Sequence, residues 1–487
     1  MICVPIVATT NRQARADMKK AAAIADLVEL RLDYLEEPPE VEMLLDDRPL
    51  PVIVTNRPVR EGGLWEEDET RRVAHLREAI SLGAEYVDIE HDAVGRLRDR
   101  LGTRVIISYH NWGETPDDLH EIARMLVGAG GDIIKIATLA KRVCDNFRLC
   151  QLASTTGVAT IVVGMGPCGT PSRILAGKFG SYMTFGALSR EFASAPGQIT
   201  ASQLVNVYNY RSINKDTRVY GLIGMPVGHS VSPRMHNAAY RACSINAVYV
   251  PFEVDDFDAF TRGCRSLEPA GFSVTIPHKE AAFRLATQVD PVSRDIGAIN
   301  TLRLNDDHTW QGTNTDCRAA VDSVKHAMGA SSLSGMRVLL LGAGGAGRAL
   351  AYGFASEGAA VTIANRTNER SQALAAEVGC NVVKWADRTE ADYDILANAT
   401  SLGMYPAVDV TPYPREALRP GRMVFDTVYN PRLTRLLEEA RAEDCPVVDG
   451  LEMLVRQAAG QFSFWFDREA PLEVMRRAAV AGLDEFA

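Results

Sequence analysis

No stretch of this 487-residue chain stays apolar for the roughly 18 residues that a membrane-spanning helix requires. The first residues, MICVPIVATT, lack the basic stretch and small-residue cleavage site of a secretory signal, so a cytoplasmic protein is expected. Cysteine is sparse: nine residues, an odd number, run from Cys3 to Cys445 without one CxxC pair. That argues against a disulfide framework or a zinc site and fits reduced thiols serving as small buried hydrophobes; no metal is expected. Positive charge is in deficit, with 52 Lys and Arg against 62 Asp and Glu, a net charge of -10. Neither nucleic acid nor an anionic membrane is therefore a natural partner, and a site for an anionic small molecule must gather local positive charge. Short repeats and low-complexity tracts are missing as well.

What is present is a long alternation of strand and helix. Through about residue 210 eight short, β-branched runs recur: ICVPIVA, LVELRL, PVIVTN, EYVDIE, RVIISYH, DIIKIA, ATIVVGM and YMTFGA. Amphipathic segments such as Arg71–Leu82 and Pro116–Gly128 lie between them. Near-continuous apolar strands joined by helices predict a parallel sheet, and eight such units predict a closed (β/α)8 barrel over residues 1–213. Polar residues around NYRSINKDT read as a linker. A fresh strand, VYGLIG, opens a second α/β segment, residues 218–330, which C-terminal helices within 446–487 are expected to complete. A third, residues 331–445, begins at MRVLLLGAGGAGRAL and reads as a Rossmann domain.

In such a barrel, polar residues at the C-terminal strand ends face the catalytic mouth. Glu29 and Arg31, two apart on strand two, share one face. Arg57 closes strand three, Glu61 follows in the loop, His110 closes strand five, and Lys135 sits within DIIKIA, strand six. Arg173 follows strand seven; Ser194 and Gln198 follow strand eight. A lysine in an apolar strand should be desolvated, which favours the neutral amine that attacks a carbonyl. Alone it reads more readily as a lysine reaching for water, as His110 alone reads as a core histidine. Their convergence with three arginines predicts imine chemistry: the imine acidifies the neighbouring C–H, His110 takes that proton, and guanidiniums hold a carboxylate.

The blocks ELRLD, NRPVREGG, SYHNW, DIIKIA, PSR and SAPGQ, in this order, resemble type I 3-dehydroquinate dehydratase from Met1 to about Tyr210. The resemblance implies that Lys135 forms the imine, that His110 moves the protons with Glu61 orienting it, and that Glu29, Arg31, Arg57, Arg173, Ser194 and Gln198 line the substrate pocket. A class I aldolase, which also uses a barrel lysine, would not be expected to carry these blocks together.

In the second segment Ser230 and Ser232 offer two hydroxyls on one side of a turn, or an ordinary helix cap with Pro233 at the first helical position. Lys279 and Asp316, separately plain surface charges, would together make a proton relay beside a carbinol. HSVSP, VTIPHK, GAINT, NTD, GAGGAG, NRTNER, NATSLGM, DTVYNP and GLEMLVRQA resemble shikimate dehydrogenase over roughly Tyr220 to Trp465. By that resemblance Ser230 and Ser232 bind a carboxylate, while Thr275, Asn300, Asp316 and Gln457 hold ring hydroxyls. Lys279 and Asp316 carry the catalysis, and Tyr429 lies near the carboxylate and the nicotinamide. Ser273 and Thr427 stand where asparagine and methionine are common in that family.

The strand MRVLLL runs into Gly342, Ala343, Gly344, Gly345, Ala346 and Gly347 and then a helix, the strand–turn–helix context that a dinucleotide fingerprint needs. The next strand ends in Asn365, Arg366 and Thr367 with Arg370 nearby, and no carboxylate to grip a ribose 2′-hydroxyl. Two guanidiniums favour a 2′-phosphate, so NADP(H) is the expected cofactor. The two resemblances together imply an enzyme that dehydrates 3-dehydroquinate and reduces the product to shikimate. A quinate dehydrogenase using NAD, or an inactive sensor of the same metabolites, are the alternatives.

Overall fold

The computed structural model describes residues 1–97, 99–189, 191 and 198–485. It forms two compact units: Met1–Gly228 with Ser244–Pro269, and His229–Cys243 with Ala270–Ala487. Among the described residues no helix is long and apolar enough to cross a membrane.

In the first unit eight strands run parallel: β1 (Ile2–Ile6), β2 (Leu27–Arg31), β3 (Val52–Thr55), β4 (Tyr86–Glu90), β5 (Arg104–Asn111), β6 (Ile133–Leu139), β7 (Thr160–Met165) and β8 (Thr184–Phe185). Their order, β7-β6-β5-β4-β3-β2-β1-β8, is that of a barrel opened between β7 and β8. Two hydrogen bonds bridge that seam, Tyr182 N–H to the Thr160 carbonyl at 2.7 Å and Val162 N–H to Ser181 Oγ at 3.3 Å. β1, β2, β3 and β7 are buried along their whole length, as strands covered on both faces must be. The helix Glu69–Ser81 shows how the outer layer docks. Asp68 caps its first turn, and Arg72, Val73, Leu76, Ala79 and Ile80 form its buried face. A guanidinium among four aliphatic side chains is the unusual member of that set. Two further strands, β9 (Arg218–Gly224) and β10 (Ala247–Glu253), pair in parallel, and Glu253 Oε1 accepts from the main-chain N–H groups of Val227 and Gly228.

The second unit contains β11 (Pro269–Val274), β12 (Gln288–Val289), β13 (Thr301–Leu304) and β14 (Trp310–Thr313). β11 and β14 run antiparallel to β13, and β12 runs parallel to β14. It also contains a six-stranded parallel sheet of β15 (Arg337–Leu341), β16 (Ala360–Asn365), β17 (Asn381–Lys384), β18 (Ile395–Asn398), β19 (Met423–Asp426) and β20 (Val447–Val448). The order β17-β16-β15-β18-β19-β20 reverses direction beside β15, the switch point where such sheets open a crevice. The C-terminal helices Gly450–Phe466 and Leu472–Asp484 pack near the helix Ser232–Ala242: the Tyr240 ring lies 6.2 Å from Phe462 and 5.5 Å from Phe466, and Arg234 pairs with Glu485. Trp465 Nε1 donates to the Leu302 carbonyl at 3.0 Å in a fully buried bond.

Replacing Trp465 by Phe keeps the ring packing but strands that carbonyl, at a cost of about 1–3 kcal/mol. Thermal unfolding of W465F should show a lower midpoint for the second unit, with that of the barrel unit unchanged.

Candidate active sites

Alternate strands of the barrel send their side chains into shared layers. Glu29 from β2, Asp88 from β4 and Lys135 from β6 meet in this way. Lys135 Nζ is 3.3 Å from Glu29 Oε1 and 3.1 Å from Asp88 Oδ2, and it stands 4.5 Å from the centre of the Phe185 ring on β8. Lys135 is 5 % exposed, so the amine points into the barrel and not to outside water. The desolvation expected of a lysine in an apolar strand is present, and strands across the barrel meet the amine with two carboxylates, of which the sequence reading had included only Glu29.

The β5–β6 register pairs Ser108 with Lys135 and His110 with Ala137. Strand alternation therefore puts His110 on the same inner face as Lys135, two residues nearer the strand's C-terminal end. Glu61 Oε2 accepts from the His110 main-chain N–H (2.8 Å) and lies 3.0 Å from its Nδ1. Burial, reinforced by Arg57 and Lys135, holds His110 well below the usual imidazole range. Burial raises Glu61 to about 7, against the opposing pull of Arg57. The loop that carries Glu61 needs its glycines: Gly62 has φ +77 and lies against the Trp112 indole, and a Cβ on Gly63 would sit 2.0 Å from the Arg57 carbonyl.

The three arginines are not equivalent. Arg31 is held bidentately by Asp33, with Nε at 2.9 Å and Nη2 at 2.7 Å. Arg57 is committed to Glu90 (2.6 Å), Ser108 (2.6 Å) and Asp88 (2.8 Å). Arg173 is 2 % exposed, donates to the Phe185 carbonyl at 3.3 Å, and pairs with no carboxylate among the described residues. Burial alone lowers it to about 10. Of the three arginines that the sequence reading grouped together, Arg173 is thus the one without a carboxylate partner among the described residues. Gln198 is 9 % exposed, and Ser194 lies outside the described residues. Sequence reasoning missed Asp33, Asp88 and Glu90. Asp88 and Glu90 had a visible signal, two carboxylates at i and i+2 in the otherwise apolar strand YVDIE.

In the second unit Lys279 opens the helix Lys279–Leu285 and Asp316 sits in the first turn of Thr315–Met328. Lys279 Nζ and Asp316 Oδ2 are 2.6 Å apart. Asn300 Nδ2 donates to Asp316 Oδ1 (2.9 Å), to Thr315 Oγ1 (2.9 Å) and weakly towards Gln457 Oε1 (3.5 Å). The carboxylate is thus held at both oxygens, by an amide and by the ammonium it steers. The helix begins one residue earlier than the cap reading placed it: Val231 is the cap residue, Ser232 is the first helical residue with Pro233 second, and Ser230 Oγ accepts from the Ser232 N–H at 3.2 Å. Thr275 is half-buried just after β11. Tyr429 is half-buried beyond β19, its phenol raised by burial. Ser273 is turned into the core, donating to Gln461 Oε1 at 2.7 Å.

The glycine-rich turn after β15 matches what a dinucleotide needs. Gly342 has φ +108, and a Cβ on Gly347 would meet the Gly342 carbonyl at 2.2 Å, so both glycines close the turn. Gly344 and Gly345 have open space where a Cβ would stand, leaving room for a pyrophosphate at the N-terminus of the helix Gly345–Ser356, beside Ala343 and Ala346. Asn365 Oδ1 accepts from the Ala343 N–H at 3.2 Å, tying the end of β16 to this turn. Arg366, Thr367 and Arg370 are exposed, and neither arginine is ion-paired among the described residues. This donor set fits an anionic dinucleotide carrying a 2′-phosphate.

Comparison with known sequences and structures follows the same division. A profile of type I 3-dehydroquinase matches residues 2–215. The shikimate dehydrogenase substrate binding domain matches 222–302, shikimate / quinate 5-dehydrogenase 323–406, and the shikimate 5'-dehydrogenase C-terminal domain 450–480. The chain is 42% identical to the bifunctional 3-dehydroquinate dehydratase/shikimate dehydrogenase, chloroplastic, of Arabidopsis thaliana, over 97% of this chain and 83% of that protein. It is 42% identical to the shikimate dehydrogenase (NADP(+)) of Moorella thermoacetica over 54% of this chain and 93% of that one. The crystal structure of shikimate 5-dehydrogenase from Thermus thermophilus in complex with NADP(H) and shikimate is 32% identical. It covers 55% of this chain and 100% of its own, with a TM-score of 0.50.

The Glu61–His110 pair carries a pH signature. A carboxyl raised from 4.5 to about 7 in the folded state favours folding most at pH below 4.5, and that contribution is lost as pH rises through 7. Removing it should change stability by up to about 3 kcal/mol. Denaturant unfolding of the wild type and Glu61→Gln across pH 4.5–8 should show the difference between them growing in favour of the variant as pH rises. A constant difference would mean that Glu61 titrates normally.

Proposed function

The chain belongs to the bifunctional 3-dehydroquinate dehydratase/shikimate dehydrogenase family, and from that premise we propose how its residues divide the work. The enzyme is a lyase and an NADP-dependent oxidoreductase in one polypeptide: it dehydrates 3-dehydroquinate and reduces the resulting 3-dehydroshikimate to shikimate. We assign dehydration to residues 1–213. Substrate binding for reduction falls to 218–330, completed by 446–487, and cofactor binding to 331–445.

In the barrel the observation that carries the reading is Lys135, buried between Glu29 and Asp88 with His110 on the same inner face. The ammonium passes its proton to one of those carboxylates, and the free amine adds to the substrate ketone. Loss of water leaves an imine, which acidifies the adjacent C–H. With Glu61 ionised, its carboxylate keeps the proton of His110 on Nδ1 and leaves Nε2 as the base. The same nitrogen returns the proton to the departing hydroxyl, and hydrolysis of the imine restores Lys135. Arg173, with Ser194 and Gln198, holds the substrate carboxylate. Arg31, Arg57 and Glu29 shape the ring pocket.

In the reductase NADPH, when bound, supplies the hydride. Ser230 and Ser232 hold the substrate carboxylate beside Tyr429, and Thr275, Asn300 and Gln457 hold ring hydroxyls. Lys279 donates its proton to the alkoxide as it forms. Asp316 steers that ammonium and stabilises the charge left behind. Arg366 and Arg370, with Asn365 and Thr367, receive the 2′-phosphate; their exposure without carboxylate partners supports this preference over NAD. The cytoplasm is the proposed compartment, supported by nine cysteines that form no disulfide.

Lys135→Ala should abolish dehydration and spare reduction; Lys279→Ala should do the converse, each in the full chain with both assays run on one preparation. Loss of both activities in either variant would contradict the division. The double variant R366A/R370A should raise KM for NADP about 10–100-fold while leaving KM for NAD nearly unchanged, the loss of charge-assisted hydrogen bonds to one phosphate. Turnover of quinate with NAD above that of shikimate with NADP would favour a quinate dehydrogenase instead.

A further inference from the structure

A chain of alternating charges leads away from Lys135 and out of the barrel. Asp88 Oδ2 faces the amine at 3.1 Å, and Asp88 Oδ1 meets Arg57 Nη2 at 2.8 Å. Arg57 Nη1 donates to Glu90 Oε1 at 2.6 Å, and Glu90 Oε2 meets Arg72 Nη2 at 2.7 Å. Arg72 then grips Glu69 through Nε (2.8 Å) and Nη2 (2.7 Å), and Glu69 is the first link with appreciable exposure, 25%. Asp88, Arg57, Glu90 and Arg72 are each no more than 2 % exposed. Arg57 Nη2, Asp88 Oδ1 and Glu90 Oε2 make no well-directed hydrogen bond although they lie at ion-pair distance. Charge, not directional bonding, therefore holds those links.

Arg72 is the unexplained member. It lies on the outer helix Glu69–Ser81, in a face otherwise made of Val73, Leu76, Ala79 and Ile80, where an apolar side chain would satisfy the packing. A fully buried guanidinium is expensive to desolvate, and it is tolerated only where its partners answer it. Its Nη1 also donates to the carbonyl of Asn56, the residue before Arg57, at 2.7 Å. Arg72 therefore touches both the backbone and the counter-ion of Arg57 without being a barrel residue itself.

We propose that Arg72 is a positioning residue for the dehydratase. By holding Glu90 outward it sets how Arg57 divides between Glu90 and Asp88, and so how firmly Asp88 holds the Lys135 ammonium. The inference rests on the reading of Lys135 as the imine-forming amine. The charged and titratable groups facing Lys135 are Glu29 from β2, Arg57 after β3, Asp88 from β4, His110 from β5 and Cys3 from β1. Burial alone would raise Asp88. Arg57 and Lys135 together hold it far below the carboxylate range, so whatever loosens Arg57 throws Asp88 onto Lys135. Without Arg72, Glu90 has one oxygen unopposed and draws Arg57 off Asp88.

The test is the pH dependence of imine trapping: full-length enzyme with 3-dehydroquinate and borohydride, the trapped fraction read by intact mass. Arg72→Gln should move the midpoint of trapping up by about one pH unit and lower the dehydratase kcat near neutrality about tenfold, with the reductase rate unchanged. Arg72→Lys keeps the charge and should hold the midpoint at the wild-type value. The double variant R72Q/E90Q removes the unopposed carboxylate as well and should bring the midpoint below wild type. A merely structural role would lower activity without moving any midpoint, so a folded R72Q with the wild-type midpoint overturns the proposal. Should R72Q fail to fold, the double variant decides alone, and an unchanged midpoint overturns it. Failure of the wild-type enzyme to trap any imine would instead strike the assignment of Lys135.

Discussion

A buried ammonium needs a negative partner, and in this protein that requirement organises the barrel from its centre outward. Lys135 is met by Glu29 and Asp88 because β2, β4 and β6 contribute to one interior layer. Asp88 in turn needs more positive charge than one amine supplies, and Arg57 brings it. Arg57 carries its excess to Glu90, and Glu90 to Arg72 on the outer helix. Each link answers the desolvation of the one before. The interior is thus a nearly balanced lattice of charge in which a proton can move off the amine without leaving an isolated ion behind. Arg173 stands apart, buried without a carboxylate partner among the described residues, and the proposal that it receives the substrate carboxylate rests on that contrast.

The second unit solves a milder version of the problem. Lys279 and Asp316 are less deeply buried than Lys135 and Asp88, 23% and 12% exposed at the side chain, so solvent screens the pair more. Its geometry comes from local helix chemistry: Asn314 caps the helix through the Asp316 N–H at 3.0 Å, and Asn300 takes the other carboxylate oxygen. The dinucleotide turn uses space where the barrel uses charge. Gly342 and Gly347 are required by contacts that a Cβ would violate, while Gly344 and Gly345 leave an opening. Two chemistries thus share one polypeptide with little in common beyond the use of sheets to position them.

Much of this was legible in the residues. Near-continuous apolar runs with helical spacers announced the eight strands, and GAGGAG between strand and helix announced the dinucleotide turn, because both depend on local patterns. Lys135 stood out as a charge in the middle of DIIKIA, and its inward direction follows from strand alternation. What surrounds it could not be read, since Glu29 and Asp88 are 106 and 47 residues away and reach it only when the barrel curls. For the same reason the arginines looked interchangeable. Which guanidinium is free depends on whether a carboxylate lies across the sheet, as Glu90 does for Arg57, or two residues on, as Asp33 does for Arg31. Arg72 was not singled out at all, because nothing in ETRRVAHLREAIS marks which of its arginines faces inward except the phase of Val73, Leu76 and Ile80. The seam between β7 and β8 was equally hidden, being a matter of how two strand ends meet.

The central claim is chemical: one particular amine in the barrel forms the bond to substrate. Peptide mapping by mass spectrometry of enzyme reduced with borohydride during turnover of 3-dehydroquinate locates that bond directly. The account requires a single modified peptide, with the added mass on Lys135 and none on Lys178 or on any lysine of the second unit. An adduct on another lysine, or full dehydratase turnover with Lys135 unmodified and no adduct formed, would contradict it.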